Sequence, residues 1–240
     1  MTVLKGEGKH PMLYGSYRLP VGRDLRAYIA RPDISGSFPT VLVVHGAWGL
    51  TSHVKAFCRK LARYGFATLC PDLYHGSLDG RLDDRAEAED RWTGIPDGRA
   101  ARDVVEAFHN VEAPGTEWCD PRRIGILAIA EGGRPALAAA ARIDTLAAIT
   151  LVYAPVDAPG LERAGVPVLG IYATEDERVP ADDVRAAREA SGKGSFAFYG
   201  GVGHDFMDEA RDGYDGPSAD DAYERIIGFF EERLGAPVGA

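Results

Sequence analysis

The strongest constraint on the fold is a regular alternation, from residue 39 to the end of the chain, of short apolar runs with helical stretches. Several of these runs are too continuously apolar to leave one face in water, which is typical of central strands in a parallel sheet. The alternation favours repeated strand–helix units, with helices on both faces of the sheet. The predicted strands are residues 40–45, 66–70, 124–128, 148–153, 168–173 and 196–199.

Helices are predicted between the strands, as crossover connections require, and Ser52 is placed to cap the first of them. Before the parallel strands, residues 14–18 and 25–29 alternate polar and apolar side chains around a turn-like Pro-Val-Gly-Arg, which predicts an antiparallel edge hairpin. The sequence therefore predicts one α/β domain over residues 1–240 with a mostly parallel central sheet. The predicted helices are residues 52–63, 99–110, 132–142, 181–190 and 218–234.

One segment, residues 76–98, breaks this alternation. It is rich in Asp, Arg and Glu, contains an isolated Trp92, and lies between a predicted strand and the next clear helix. Two interpretations stay open: a partial cover over a functional site, or a solvated linker helix.

Charge and hydropathy exclude several partners. The formal net charge of −9 argues against nucleic acid, because binding a polyanion needs clustered Lys and Arg. Neither an apolar leader nor an apolar run of about 18 residues is present, so we expect a cytoplasmic protein without a membrane partner. The expected partner is a small molecule, bound by a monomer or a homodimer.

Cysteine usage excludes two further kinds of site. The chain has three cysteines, Cys58, Cys70 and Cys119, an odd number without CxxC spacing. This pattern indicates neither a disulfide framework nor a zinc site, so we expect buried thiols.

A tight strand-to-helix turn is predicted where Ala128-Ile129-Ala130-Glu131-Gly132-Gly133 follows an apolar strand. Enzymes that carry a nucleophile on such a turn use the pattern small-x-nucleophile-x-Gly, because only small flanking residues let the turn close. Ala130 stands at the nucleophile position but has no reactive atom. Taken alone, the pattern also fits an ordinary strand–helix turn.

Two residues downstream support the catalytic interpretation. Asp176 and His204 each follow an apolar strand, in the chain order nucleophile, acid, histidine that the α/β-hydrolase fold uses. Either residue alone could be an ordinary loop residue. Together at these intervals they predict an imidazole oriented by a carboxylate.

The segment His45-Gly46-Ala47-Trp48-Gly49 ends the first parallel strand, where this fold supplies a donor to an oxyanion hole. We assign the two donors to the backbones of Ala47 and Glu131. His45 itself is interpreted as a structural residue at the end of the strand.

Residues 43–76, VVHGAWGLTSHVKAFCRKLARYGFATLCPDLYHG, resemble the corresponding segment of the dienelactone hydrolase family, with Pro-Asp-Leu-Tyr at 71–74 especially characteristic. The turn at Ala130, the Asp176 loop, Gly-His-x-Phe at 203–206 and a closing amphipathic helix extend the resemblance over nearly the whole chain. It implies the α/β-hydrolase fold and hydrolysis of small esters or lactones by a Cys or Ser with Asp and His. It implies neither a metal nor a cofactor.

The chain departs from the family pattern at three positions. Gly46 replaces a Glu that interacts with the family's thiol, Ala130 replaces the nucleophile, and Asp208 replaces an Arg that binds the substrate carboxylate. An engineered inactive variant would explain only Ala130, so the three together favour natural divergence. Glu131 is offset by one residue, and its side chain is expected to point away from the pocket.

Three functions stay open at this point. The chain is a hydrolase, either crippled or using His204 and Asp176 to activate water; or a lyase, isomerase or cyclase in which this pair abstracts a proton; or a non-catalytic ligand-binding protein. Aromatic residues at strand ends and in loops are candidates to line the pocket: Trp48, Tyr74, Trp92, Tyr153 and Phe206.

Overall fold

The computed structural model describes residues 10–19, 25–76, 84–96, 98–111 and 113–235. Eight strands form one sheet within these residues. They are β1 Met12–Arg18, β2 Arg26–Pro32, β3 Phe38–Val44, β4 Ala67–Pro71, β5 Cys119–Ile129, β6 Leu146–Val152, β7 Val168–Ala173 and β8 Ser195–Tyr199.

The strand order is β1-β2-β4-β3-β5-β6-β7-β8. β1 and β2 pair antiparallel, β2 pairs antiparallel with β4, and all the other neighbours are parallel. The edge hairpin and the mostly parallel sheet predicted from the sequence are therefore present. The predicted Pro-Val-Gly-Arg turn, at residues 20–23, lies outside the described residues.

Helices cover both faces of this sheet. They are α1 Ser52–Arg63, α2 Arg85–Thr93, α3 Arg99–Asn110, α4 Gly133–Ala140, α5 Ala158–Ala164, α6 Ala181–Ser191 and α7 Gly216–Leu234. Thr51, rather than the predicted Ser52, caps α1, because its side chain accepts a hydrogen bond from the N–H of Val54. The sequence did not predict α5, a seven-residue helix that contains a proline and a glycine.

Two hydrophobic cores lie on opposite faces of the sheet, and strand alternation separates them. In β3, Leu42 and Val44 pack with α3 and α4 on one face, while Val41 and Val43 pack with α1 and α7 on the other. Successive side chains of a strand point to opposite faces, so a strand covered on both sides is buried throughout and mostly apolar, as this one is. The parallel strands thus form a rigid centre whose carboxyl ends carry the loops discussed below.

The segment 76–98 forms α2 in its described part; residues 77–83 and 97 lie outside it. Ala88 and Trp92 of α2 pack against Ala47, in the loop that follows β3. This helix is therefore attached to the site loop. Among the described helices, none is both long and apolar enough to cross a membrane.

Candidate active site

The turn after β5 has the tight geometry predicted from its sequence. Ile129 is extended, Ala130 has a φ of 48°, and a short 3-10 helix over Ala130–Gly132 leads into α4. A side chain at Gly132 could not fit, since its Cβ would lie 2.6 Å from the carbonyl oxygen of Val44. A left-handed conformation is uncommon for a residue other than glycine and indicates a strained functional turn. Its tip carries only the methyl group of Ala130.

Asp176 and His204, which the sequence placed on separate loops, are in direct contact. Nδ1 of His204 lies 2.7 Å from Oδ2 of Asp176. The other carboxylate oxygen accepts hydrogen bonds from the backbone N–H groups of Arg178 and Val179, at 2.9 and 3.0 Å. The Asp176 side chain is fully buried, while that of His204 is 10% exposed. The loop after β7 thus holds the carboxylate, and the carboxylate holds the imidazole.

The charge of Asp176 is stabilised by these contacts. Burial by itself raises the pKa of Asp176, but the hydrogen bond from His204 and those from the two backbone N–H groups outweigh burial and bring the pKa below its usual value. An ionised Asp176 accepts the proton on Nδ1 of His204, which leaves Nε2 as the acceptor. The pair therefore presents a base to the pocket.

His204 and Ala130 line one pocket together with Gly46, Trp48, Glu131 and Tyr153, at the carboxyl ends of the parallel strands. This is the edge at which open α/β sheets bind their ligands. The cavity there measures about 30 Å³. It is small and lies beside the methyl group of Ala130.

The side chain of Glu131 does not point away, and that expectation is wrong. Its Oε2 accepts a hydrogen bond from the backbone N–H of Ala47 at 2.9 Å, and the residue lines the pocket. The N–H predicted to hold an oxyanion is therefore already bonded to a carboxylate.

Gly46 creates the space for this carboxylate. A Cβ at Gly46 would lie 2.6 Å from Oε2 of Glu131 and 3.1 Å from the Cβ of Ala130. A Cβ atom does not approach a non-bonded oxygen this closely, so a larger residue at position 46 would displace Glu131. Gly46 and Ala130, two of the three positions at which the sequence leads us to expect a departure from the family pattern, thus lie together around the Glu131 carboxylate.

Only two of the five aromatic candidates, Trp48 and Tyr153, line the pocket. Tyr74 lies behind the loop, where its hydroxyl donates to the carbonyl oxygen of Ala47 at 2.6 Å. Trp92 packs edge-on against His45 and Tyr74. Phe206 is fully buried between Tyr153 and Tyr199. Tyr74, Trp92 and Phe206 thus do not line this pocket, and their rings pack against neighbouring side chains.

His45 has the structural role expected of it. It is fully buried, its Nδ1 donates to the carbonyl oxygen of Gly46 at 2.8 Å, and its Nε2 accepts from the N–H of Leu73 at 3.1 Å. Burial lowers the pKa of His45, which favours this neutral form. The side chain ties the loop after β3 to the loop after β4.

Several ionisable residues of the pocket were not predicted from the sequence. Nε2 of His53 shares a 2.8 Å hydrogen bond with the Tyr153 hydroxyl, and burial is the main cause that lowers the pKa of His53. The guanidinium of Arg211 lies over the Trp48 ring, 4.5 Å from its centre. Two positions in the sequence could have indicated such residues. His53 comes just after the Trp48 loop, and Arg178 comes two residues after Asp176. The residues not predicted are His53, Arg178, Asp205 and Arg211, and Asp208, which the sequence indicated only as a departure from the family pattern, lines the pocket as well.

The pocket contains no built metal site within the described residues, where no group of three or more His, Cys, Asp and Glu side chains is arranged to hold an ion. The three cysteines are free and buried on α1, β4 and β5, and none lines the pocket. The ionisable side chains of this pocket include those of His204 and Glu131, and Asp176 is hydrogen-bonded to His204.

A family model, the dienelactone hydrolase family, matches residues 25–234. A protein of Methylorubrum extorquens named "Putative carboxymethylenebutenolidase" is 30% identical, over 96% of this chain and 81% of that protein. One of the same name from Aquifex aeolicus is 30% identical, over 89% of this chain and 95% of that protein.

The fold is also similar to that of a protein whose name contains the family's name. The crystal structure of a "Putative Dienelactone Hydrolase" from Klebsiella pneumoniae superposes with a TM-score of 0.81, covering 92% of this chain and 99% of that one. At 24% identity this likeness shows the fold alone. The family model and the two relatives that are 30% identical show more: the chain belongs to the dienelactone hydrolase family.

Proposed function

We propose that this protein hydrolyses a small ester or lactone and that a water molecule, activated by His204, takes the place of the missing side-chain nucleophile at Ala130. The observation that carries the proposal is the 2.7 Å contact between His204 and Asp176 in a pocket whose turn has kept its strained geometry. Family membership and the names of the relatives support the substrate class.

The cavity beside Ala130 supports a direct attack by water. Its volume of about 30 Å³ has room for about two water molecules. Removing the reactive atom of a Cys or Ser side chain leaves space at the tip of the turn, next to the imidazole. A water in that space can donate a proton to Nε2 of His204, which Asp176 has oriented.

In the proposed step, Nε2 of His204 removes a proton from water while the oxygen of that water attacks the substrate carbonyl carbon. Asp176 stabilises the imidazolium, which then gives its proton to the departing alkoxide. The backbone N–H groups of Ala47 and Glu131 are the proposed donors to the oxyanion. For this to occur, the Glu131 carboxylate has to leave the N–H of Ala47.

The expected rate is low. In a serine protease, removing the triad serine costs about a million-fold in kcat, and the binding groups that remain still give about a thousandfold over water. Turnover here should exceed that residual rate by what His204 contributes as a general base toward water, and it has the further requirement that Glu131 moves.

The test is a panel of small esters and lactones assayed with the parent protein, His204→Ala and the matched control His109→Ala. His109 is exposed in the last turn of α3, far along the chain from the pocket residues. His204→Ala should lower kcat about a hundred- to ten-thousand-fold, the usual contribution of a general base. His109→Ala should match the parent. Equal rates for all three would contradict the proposal and favour a ligand-binding protein.

A further inference from the structure

The Glu131 carboxylate has one oxygen fixed and one oxygen available. Oε2 accepts the 2.9 Å hydrogen bond from Ala47, whereas Oε1 makes no hydrogen bond within the part of the chain that the structure describes. Glu131 lines the same pocket as His204. A carboxylate held in this way by one oxygen presents the other to a ligand in a defined direction.

This arrangement hinders attack on an ester carbonyl but is compatible with nucleophilic displacement at a saturated carbon. An ester carbonyl needs the N–H of Ala47 for its own oxyanion, and the carboxylate occupies that N–H. Displacement at a saturated carbon puts no negative charge on a substrate carbonyl, because the charge departs with the leaving group. The carboxylate can therefore stay on Ala47 while its free oxygen attacks.

We propose that Glu131 is a nucleophile toward small alkylating substrates, meaning short chains that carry a halide on a saturated carbon, and that the pocket hydrolyses them through an alkyl ester of Glu131. The inference goes beyond the ester hydrolysis proposed above and shares His204, Asp176 and the N–H group of Ala47 with it. Carboxylates are among the side chains that form covalent intermediates in enzymes.

The first step balances without another reactant. Oε1 of Glu131 forms a bond to the saturated carbon as the carbon–halogen bond breaks, and the halide leaves with the bonding electrons. The product is a neutral alkyl ester of Glu131, whose carbonyl oxygen is Oε2 and is still bonded to the N–H of Ala47.

The second step uses the His204–Asp176 pair. Nε2 of His204 takes a proton from water, and the hydroxide attacks the Glu131 carboxyl carbon. The oxyanion then forms on Oε2, where the N–H of Ala47 already lies. The tetrahedral intermediate collapses, the alcohol leaves with the proton from the imidazolium, and the Glu131 carboxylate is regenerated. The sum is alkyl halide plus water giving alcohol, halide ion and a proton.

The pocket walls set the size and polarity of the substrate. Trp48 and Tyr153 give the pocket an aromatic wall, and the cavity of about 30 Å³ leaves little room beside Ala130. A short alkyl chain can pack against this aromatic part of the wall, whereas a bulky group does not fit beside Ala130. We therefore choose 1-bromopropane as the probe.

The experiment is a single turnover of 1-bromopropane with excess protein in H₂¹⁸O. The proposal predicts bromide release by the parent and ¹⁸O in the Glu131 carboxylate, found by peptide mass spectrometry, while the first propanol formed carries ¹⁶O. Glu131→Gln, checked for folding by circular dichroism, should release bromide no faster than buffer. The matched control Glu189→Gln alters an exposed glutamate of α6 and should behave as the parent does.

A second variant traps the intermediate. His204→Asn removes the base of the second step, so the peptide that contains Glu131 should gain the mass of one propyl group and keep it. The proposal is overturned if the parent releases no bromide above the Glu131→Gln rate. It is also overturned if ¹⁸O appears only in propanol, or if the propyl group is found on Asp205 or Asp208 instead, since Glu131 is then only a hydrogen-bond partner of Ala47.

The two proposals can fail separately. Ester turnover that depends on His204, without bromide release, contradicts the alkyl-transfer inference alone. Bromide release through Glu131 without ester turnover contradicts the ester hydrolysis alone.

Discussion

Oε2 of Glu131 lies 2.9 Å from the backbone nitrogen of Ala47 and accepts its hydrogen bond. This contact joins the turn after β5 to the loop after β3, across 84 positions of sequence. Under the ester hydrolysis proposed above, this is also the N–H group that an ester substrate would use for its carbonyl oxygen. The carboxylate and an ester therefore compete for the same N–H group.

Removing this competitor should increase ester hydrolysis. We expect Glu131→Ala to raise kcat/KM for p-nitrophenyl acetate by at least about tenfold, since tenfold corresponds to about 1.4 kcal/mol and one hydrogen bond to a charged group contributes about 1.5–3 kcal/mol. Glu189→Ala, at an exposed site on α6, is the control and should match the parent. A decrease in the Glu131→Ala variant would mean that the carboxylate assists ester hydrolysis.

Restoring a nucleophile should restore the covalent route. Ala130 already has the backbone conformation of the turn, with a φ of 48°, and His204 lies in the same pocket. We expect Ala130→Ser to raise p-nitrophenyl ester hydrolysis at least about tenfold, a small part of what a triad serine contributes. Fluorophosphonate should label the variant and not the parent. No gain in a folded variant would contradict the predicted alignment of His204.

Adding one methyl group at Gly46 should destabilise the protein. The new Cβ would lie 2.6 Å from Oε2 of Glu131 and 3.1 Å from the Cβ of Ala130, so we expect Gly46→Ala to lower the free energy of unfolding by about 1–3 kcal/mol in urea. The control is Gly228→Ala in α7, where a Cβ meets nothing within 4 Å. That change should stabilise the protein by up to about 1 kcal/mol, because alanine is the better helix former.

The same contact provides an internal check. Combining Gly46→Ala with Glu131→Ala removes the shorter clash, so the double variant should recover part of the lost stability. If the two changes were simply additive, Glu131 would not be the group that position 46 accommodates.

Acid should destabilise the fold through two buried histidines. Burial lowers the pKa of His45, and burial also lowers the pKa of His53 despite the nearby carboxylates of Asp208 and Asp205. The unfolded chain binds these protons more readily, so stability rises with pH between the lowered values and about 6.5. In urea unfolding from pH 7.5 down to pH 5, we expect a loss of at most about 1.4 kcal/mol per pH unit for each histidine.

A variant at one position separates the contributions of His53 and His45 to this pH dependence. His53→Gln should reduce this pH dependence, whereas the exposed His109→Ala should leave it as in the parent. A pH-independent free energy of unfolding over that range would contradict the assignment of buried neutral histidines.

Much of the fold was predictable because its signals are local. Continuous apolar runs such as Val168–Ala173 are strands in the structure, and the order of Ala130, Asp176 and His204 along the chain correctly predicted which loops meet. The first turn of α1 was predicted to within one residue of its cap.

The rest depends on packing between distant segments. The direction of the Glu131 side chain is set by the space that Gly46 leaves, and no pattern around Glu131 itself carries that information. Tyr74, just after β4, and Trp92, in α2, lie near the carboxyl ends of the strands, as predicted. Their rings pack against each other and against His45 and do not line the pocket. Phe206, two residues from His204, packs into the core under α7. Position along the chain predicted which end of the sheet these rings lie at and not which way they point.

The most direct test of the central claim, that water replaces the nucleophile at Ala130, is the pre-steady-state release of p-nitrophenol from p-nitrophenyl acetate. The parent protein should release it linearly from the first turnover, at a rate above that of His204→Ala and without an acetylated pocket peptide, because no covalent intermediate accumulates. A burst of about one equivalent with an acetyl group on a pocket residue, or a parent rate no greater than that of His204→Ala, would contradict the account.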